Sequence, residues 1–281
     1  MQIALVQQIA TPDRAANLQK GLASLRAAAE KGARMVCFAE LAFEPFYPQK
    51  VATGDPAELA EPVPGPITEA FEELASELGV VVILNLFERD GDQTFDCSPV
   101  IDADGRLLGR TRMIHITDYA CFHEKGYYVP GDTGAPVYET RAGRIGVAIC
   151  YDRHYPEYMR ALAVNGAQIV VVPQAGALGE WPEGLYEAEM RVAAFQNGYF
   201  TALCNRVGEE ECLTFGGESF VCDPAGRVIA RAPAVEESIL YAELDLGEVE
   251  TSHARELFLR DRRPELYADW ITPTDRVPTL R

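Results

Sequence analysis

Histidine, tryptophan and positive charge are all scarce in this chain. Its 281 residues include four His and two Trp, and 25 Lys and Arg stand against 43 Asp and Glu, a formal net charge of −18. Such a deficit of basic residues argues against nucleic acid or an anionic membrane as a partner, because both are bound through basic patches. No apolar run approaches the roughly 20 residues that span a bilayer. The first residues, Met-Gln-Ile-Ala-Leu-Val, have neither a basic leader nor a long apolar stretch, so a signal peptide is not expected. Seven cysteines lie singly along the chain, with no C-x-x-C pair, and no histidines are paired at ligand spacing. Neither a metal nor another cofactor is expected from that pattern. A chain of this length buries a core without disulfides, so the scattered cysteines read as thiols of a reducing compartment, the cytoplasm.

What is present is an alternation of strands and helices. Residues 2–7 read as a buried strand. Thr11 is expected to cap a helix with Pro12 at its first position, carried by Leu18, Leu22, Leu25 and Ala29 and closed by Gly32. Residues 34–39 read as a second strand that delivers Glu40 at its end. Further strands are expected at 80–86, 98–102, 106–116, 144–149, 199–205 and 239–245, with helices at 67–78, 158–164 and 187–198. Pro224-Ala225-Gly226 reads as the turn of a hairpin formed by 218–223 and 228–231. The segment Lys31-Gly32-Ala33-Arg34-Met35-Val36 is echoed by Asn165-Gly166-Ala167-Gln168-Ile169-Val170, a sign of an internal two-fold repeat. Alternating elements followed by strand pairs imply two sheets with helices outside, in one domain over 1–281 with a tail from about 251.

Cys150 closes the apolar run Ile145 to Ile149 and precedes Tyr151-Asp152-Arg153. A thiol at the carboxyl end of a strand and near a helix start sits where α/β sheets bind ligands, and a helix N-terminus favours thiolate. A buried structural thiol is the competing reading.

Three segments together resemble the carbon–nitrogen hydrolase (nitrilase) superfamily. They are Phe38-Ala39-Glu40-Leu41; the stretch with His115, Phe122, Glu124-Lys125 and Pro130-Gly131-Asp132; and Cys150-Tyr151-Asp152 with Pro156-Glu157. Asn205-Arg206-Val207-Gly208 and Gly217-Glu218-Ser219-Phe220 extend the likeness, which is nearest to N-carbamoylputrescine amidases and aliphatic amidases. The resemblance implies a four-layer αββα sandwich with two central mixed sheets, forming a homodimer or higher homo-oligomer. It implies hydrolysis of a small carbamoyl or aliphatic amide through a thioester. Carried over by position, Cys150 is the nucleophile, Glu40 the general base and Glu124 the second glutamate. Read from the residues themselves, the backbone N–H of Tyr151, next after the nucleophile, is expected to be an oxyanion donor, and Trp181 reads either as packing or as a wall of the pocket.

The family's lysine lies two residues before the histidine of a Lys-x-His-Ile-Pro stretch, and this chain has Met113-Ile114-His115-Ile116-Thr117. Methionine matches lysine in length but carries no charge and donates no hydrogen bond. Loss of an oxyanion donor costs on the order of a hundred- to a thousand-fold in rate. Met113 therefore reads either as an introduced inactivating substitution or as the mark of a subgroup with lost or altered activity, unless Lys125 or an arginine compensates. Without the cation, Glu40 and Glu124 are expected to raise each other's pKa. The alternative is a non-catalytic binding or regulatory protein that keeps the pocket. His115 and His154 read as structural groups, and acids at Glu180, Glu183 and Glu187 as either a site for a cationic substrate tail or a solvated face.

Overall fold

The computed structural model describes residues 1–271. Strands are β1 (Gln2–Gln7), β2 (Met35–Phe38), β3 (Val81–Ile83), β4 (Leu86–Asp90), β5 (Gln93–Ile101), β6 (Leu107–Arg112), β7 (Val137–Thr140), β8 (Gly143–Val147), β9 (Ile169–Gln174), β10 (Phe200–Asn205), β11 (Val207–Glu209), β12 (Thr214–Gly216), β13 (Phe220–Cys222), β14 (Val228–Arg231) and β15 (Ser238–Glu243). The principal helices are α1 (Arg14–Glu30), α2 (Pro66–Leu78), α3 (Pro156–Val164) and α4 (Leu185–Asn197). One mixed sheet runs β15-β1-β2-β3-β5-β4, with β6 on β5, and the other runs β14-β13-β10-β9-β8-β7.

Side-chain alternation along the strands builds four layers. Ile3 and Leu5 of β1 and Cys37 of β2 meet Ile145, Val147, Val171 and Cys204 of the second sheet in a shared core. Ala4 and Val6 face the other way, into a core with Leu25 of α1 and Phe71 and Leu74 of α2. Val170, Val172 and Leu203 pack likewise against Met159, Leu162 and Met190 of α3 and α4. Successive residues of a strand point to opposite faces, and in the middle of each sheet both faces are covered, so the central strands β1, β2 and β9 are largely apolar. The architecture is the αββα sandwich.

The sequence echo is structural. β1-α1-β2 and β8-α3-β9 each form a parallel pair joined by a helix. Gly32 and Gly166 both take positive φ, 93° and 94°. The next residue bonds back into the helix in both copies, Ala33 N to Ala28 O at 3.1 Å and Ala167 N to Leu162 O at 3.0 Å.

Several boundaries differ from the sequence reading. The cap of α1 is Asp13, whose side chain accepts from Ala16 N, while Thr11 turns to the Asn17 side chain. The strand expected at 80–86 is broken at Leu84-Asn85, because the Asn85 side chain bonds Leu41 N, Asp96 and Ser98 instead of continuing an edge. The strand expected at 106–116 stops at Arg112, since the N–H groups of Ile114 and His115 turn to the Asp152 carboxylate. β4, β7, β11 and β12 are separate strands that the sequence pattern does not announce. Beyond Glu250, in place of the expected tail, a π-helical turn spans Ala254–Phe258 and α5 spans Pro264–Ile271; the end of that expected tail lies outside the described residues.

Gly21, in the interior of α1, faces a ring cluster of Phe38, Phe43 and Phe71 with centroids 5.2 Å apart. A Cβ there would stand 2.5 Å from Phe43 Cε1. Gly21→Ala gains roughly 1 kcal/mol in helix propensity, yet overpacking costs about 1–3 kcal/mol. A net loss of stability is expected, measured as a lower midpoint in urea denaturation.

Candidate active site

The site forms where β2, β6 and β8 end, beside the first half of β5. After β2 the chain delivers Glu40, fully buried, and turns at Leu41, whose φ is 45°. The turn is held by Arg206, itself buried, whose Nη1 donates to the carbonyls of Glu40 at 2.9 Å, Leu41 and Glu44. Leu41 N donates to Asn85 Oδ1 at 2.7 Å. After β8 the chain reaches Cys150, again at a positive φ, 43°, and enters a 3₁₀ turn, Cys150–His154. L-residues avoid this region, and such strain concentrates at functional sites.

Cys150 is 5% exposed. Burial pushes its thiol well above the ordinary cysteine range, and the Glu40 charge pushes the same way. The thiolate preference expected at a helix start is thus outweighed: desolvation and carboxylates favour the neutral thiol. The opposing charge comes from Arg153. Its Nη1 donates to Cys150 O and to Gln174 Oε1, both at 2.8 Å, and its Nε to Glu189. Sequence alone gives Arg153 no role, although it stands in the Cys-Tyr-Asp-Arg motif.

Neither oxygen of Glu40 accepts a hydrogen bond from a nitrogen donor among the described residues; its polar neighbours are the Asp96 carboxyl and the Cys150 thiol. Its pKa is raised well above the carboxylate range, by burial first, then by Asp96 and Glu124. Asp96 is a second member of the site that the sequence does not reveal. Fully buried, it accepts from Asn85 Nδ2 at 2.6 Å through Oδ1, while Oδ2 is left without a partner. Burial raises it to about 6. Glu124 lies in the 3₁₀ turn Glu124–Gly126; Oε2 accepts from Thr117 N at 3.1 Å, and Oε1 is buried without a partner. Burial pushes Glu124 up too, with Asp96 and Glu180 adding to it. Of the expected mutual elevation only one direction is present: Glu124 raises Glu40, whereas Glu124 is raised by burial, Asp96, Glu180 and Asp152, and for both groups desolvation is the larger cause.

Met113 is fully buried, in the core cluster that includes Cys150 and Phe122. Its N donates to Asp96 O at 2.9 Å, and its carbonyl accepts from Gly131 N at 2.8 Å. None of the basic residues considered as substitutes turns inward. Lys125 is exposed. Arg112 forks onto Glu88 at 2.7 and 2.8 Å and reaches Asp90 and Asp132, and Arg110 also binds Glu88 and Asp90.

The flanking groups have fixed partners. His115 Nδ1 lies 2.7 Å from Asp152 Oδ1 and its ring stacks on Tyr155. His154 Nδ1 meets Glu189 at 2.5 Å. Neither histidine pairs with Cys150. Trp181 packs edge-on to Tyr119 and His154 and lines a cavity of about 540 Å³ with Tyr186 and Asn205. Glu180 accepts from the hydroxyls of Tyr119 and Tyr186 and from Ala177 N. Glu187 is paired with Arg191 and Arg231, and Glu183 is exposed. No group of three or more His, Cys, Asp or Glu side chains among the described residues could hold a metal ion.

The carbon–nitrogen hydrolase family model matches residues 2–254. The chain belongs to the carbon–nitrogen hydrolase family. It is 35% identical over 284 aligned positions to N-carbamoylputrescine amidase of Solanum lycopersicum, with 96% of this chain and 94% of the relative covered. The crystal structure of a carbon–nitrogen hydrolase from Helicobacter pylori G27 superposes with a TM-score of 0.86 at 30% identity, covering 97% of this chain and 99% of that one. A mutant of the amidase from Nesterenkonia sp. AN1, solved with the acetamide moiety of fluoroacetamide added covalently at its active-site cysteine, gives 0.80 at 27% identity, covering 96% and 97%.

Beside the site, Glu44 is buried against Arg14 at 3.2 Å and accepts from Phe87 N. Burial raises its carboxyl from 4.5 to about 7. A carboxyl raised by folding stabilises the fold fully below its unfolded value, and that contribution is lost as pH rises through the folded value. Glu44→Gln should therefore show a smaller decline in urea midpoint than the parent chain between about pH 4.5 and about pH 7.

Proposed function

We propose that this chain cleaves the C–N bond of a small carbamoyl or aliphatic amide through a thioester on Cys150. The observation that carries this reading is the burial of Glu40, Glu124 and Cys150 together at one end of the sandwich, with Cys150 on a strained turn. Glu40 takes the thiol proton, and the thiolate attacks the carbonyl carbon. The tetrahedral intermediate expels ammonia or an amine, which leaves with a proton. Water activated by Glu40 then releases the acid and restores the thiol. Glu124 positions the leaving nitrogen through its unpartnered oxygen.

The oxyanion receives the N–H of Tyr151, which stands in the first turn of the 3₁₀ segment, where N–H groups have no acceptor within the helix. Met113 adds no donor. The remaining positive charge is that of Arg153, held on the carbonyl of Cys150. Turnover is thus slower than a lysine at 113 would allow. A carbamoylated amine with a cationic tail suits the substrate end best, since Glu180 alone of the three acids considered lies beside Tyr119 and Trp181 without an arginine or lysine partner among the ion pairs of the described residues. We place the protein in the cytoplasm as a homodimer or higher oligomer, the exposed Val192, Phe195 and Phe258 offering an apolar face to a second copy.

Ammonia release from carbamoyl and aliphatic amides tests the reading. Met113→Lys is expected to raise kcat by about 10²- to 10³-fold, and Cys150→Ala to abolish turnover. If the first gains nothing and the second loses nothing, the chain is a binding protein that keeps the fold. A second expectation concerns pH. Asp96 raises the pKa of Glu40, which must be ionised to take the thiol proton. Asp96→Asn should move the acidic limb of kcat/KM to lower pH, read from the pH–rate profile.

A further inference from the structure

Five of the seven cysteines are thiols buried in the fold. The other two, Cys121 and Cys212, lie 91 residues apart in sequence, yet their Cα atoms stand 6.1 Å apart and their sulfurs are bonded. That spacing falls within the range that suits a disulfide. The structure pairs two of the cysteines that the sequence pattern reads as scattered thiols; a single pairing between distant loops leaves no signature in cysteine spacing. Cys212 is exposed and Cys121 half-buried, so the bridge is open to solvent thiols.

Both partners sit on segments that bound the active site. Cys121 has φ 63° and occupies the tight turn in which Tyr119 and Phe122 bond each other's backbones. On either side of that turn, Thr117 N caps the Glu124 carboxylate and the Tyr119 hydroxyl binds Glu180. Cys212 lies in the turn joining β11 to β12, where its N–H donates to Gln49 Oε1. Gln49 in turn donates to Glu210 Oε2, and Glu210 pairs with Arg206, which holds the Glu40 turn. The bridge therefore ties the loop that carries Glu124 to the assembly that fixes Glu40. Cys150 is 5% exposed and both glutamates fully buried, so the segments that bound them shape the approach to the site.

We propose that Cys121 and Cys212 form a reversible thiol–disulfide exchange site that pins the loop of residues 117–124 over the active site. The oxidant is a small-molecule disulfide of the glutathione class. The thiolate of one cysteine attacks a sulfur of that disulfide, breaks its S–S bond and releases one small thiol. The second cysteine then attacks the mixed disulfide, forms the protein bridge and releases the other small thiol. Two cysteine thiols are oxidised and one small disulfide is reduced to two thiols. An exposed bridge is of the labile, regulatory kind, and in a cytoplasmic protein disulfides are typically redox-sensing.

The test equilibrates the full chain with reduced or oxidised glutathione, beside Cys121→Ser and Cys212→Ser. In denaturant the oxidised parent chain should titrate five thiols and the reduced chain seven, with a Cys121–Cys212 crosslinked peptide on non-reducing digestion. Amide hydrogen exchange over residues 117–124 should slow by about tenfold or more on oxidation of the parent chain and be unchanged by it in either variant. Seven thiols after oxidation, a different crosslinked pair, or equal exchange in the two redox states would each overturn the proposal. Thiol titration and exchange are read without substrate, so the outcome is independent of whether Cys150 turns over.

Discussion

The structure turns on burying carboxylates between two sheets without a lysine among them. Glu40, Asp96, Glu124 and Asp152 all lie out of water, around the ends of β2, β6 and β8 and the first half of β5. An isolated buried charge is costly, and a protein answers it by protonation or by aiming donors at it. Both answers are used. Asp152 collects the N–H groups of Ile114 and His115 and the His115 ring, Asp96 collects Asn85, and Glu124 collects Thr117 N. Glu40 collects no nitrogen donor among the described residues and is driven toward its neutral form. The group left with the least electrostatic support is thus the one next to the thiol, where the proposed mechanism needs a base that gains and loses a proton.

The two turns that carry the proposed base and the proposed nucleophile are built alike. Leu41 and Cys150 both adopt positive φ, and each turn is clamped by a buried arginine bonded to its carbonyls, Arg206 on the first and Arg153 on the second. Backbone strain persists only where the surroundings over-determine it. The clamps also explain the odd distribution of charge. In a chain with few basic residues, Arg206 and Arg153 serve the site, while Arg112 and Arg110 neutralise Glu88 and Asp90 on the far side of β6. Side chains of Arg112 and Met113 point to opposite faces, so the guanidinium one residue away is spent on Glu88 and does not take the place of a charge at Met113.

Much of this is legible in order along the chain. The strand–helix–strand echo, the turn glycines Gly32 and Gly166, the places of Glu40 and Cys150 at strand ends, and the family likeness all follow from local patterns that period and turn chemistry dictate. So does the departure at Met113, because a missing charge is visible in one position.

Other features are decided only by the tertiary fold. Asp96 reads in sequence as an ordinary acid of a strand, and becomes part of the site because Asn85 interrupts the neighbouring strand to hold it. Arg153 and Arg206 read as motif members without function until their guanidinium groups are seen on the carbonyls of the two turns. The helix start at Cys150 leans its thiol toward thiolate, and burial reverses that. Cys121 and Cys212 are joined only by folding. The common reason is that hydrophobic period and turn residues are properties of neighbours in sequence, whereas desolvation, proton sharing and pairing across loops depend on which distant groups the two sheets bring together.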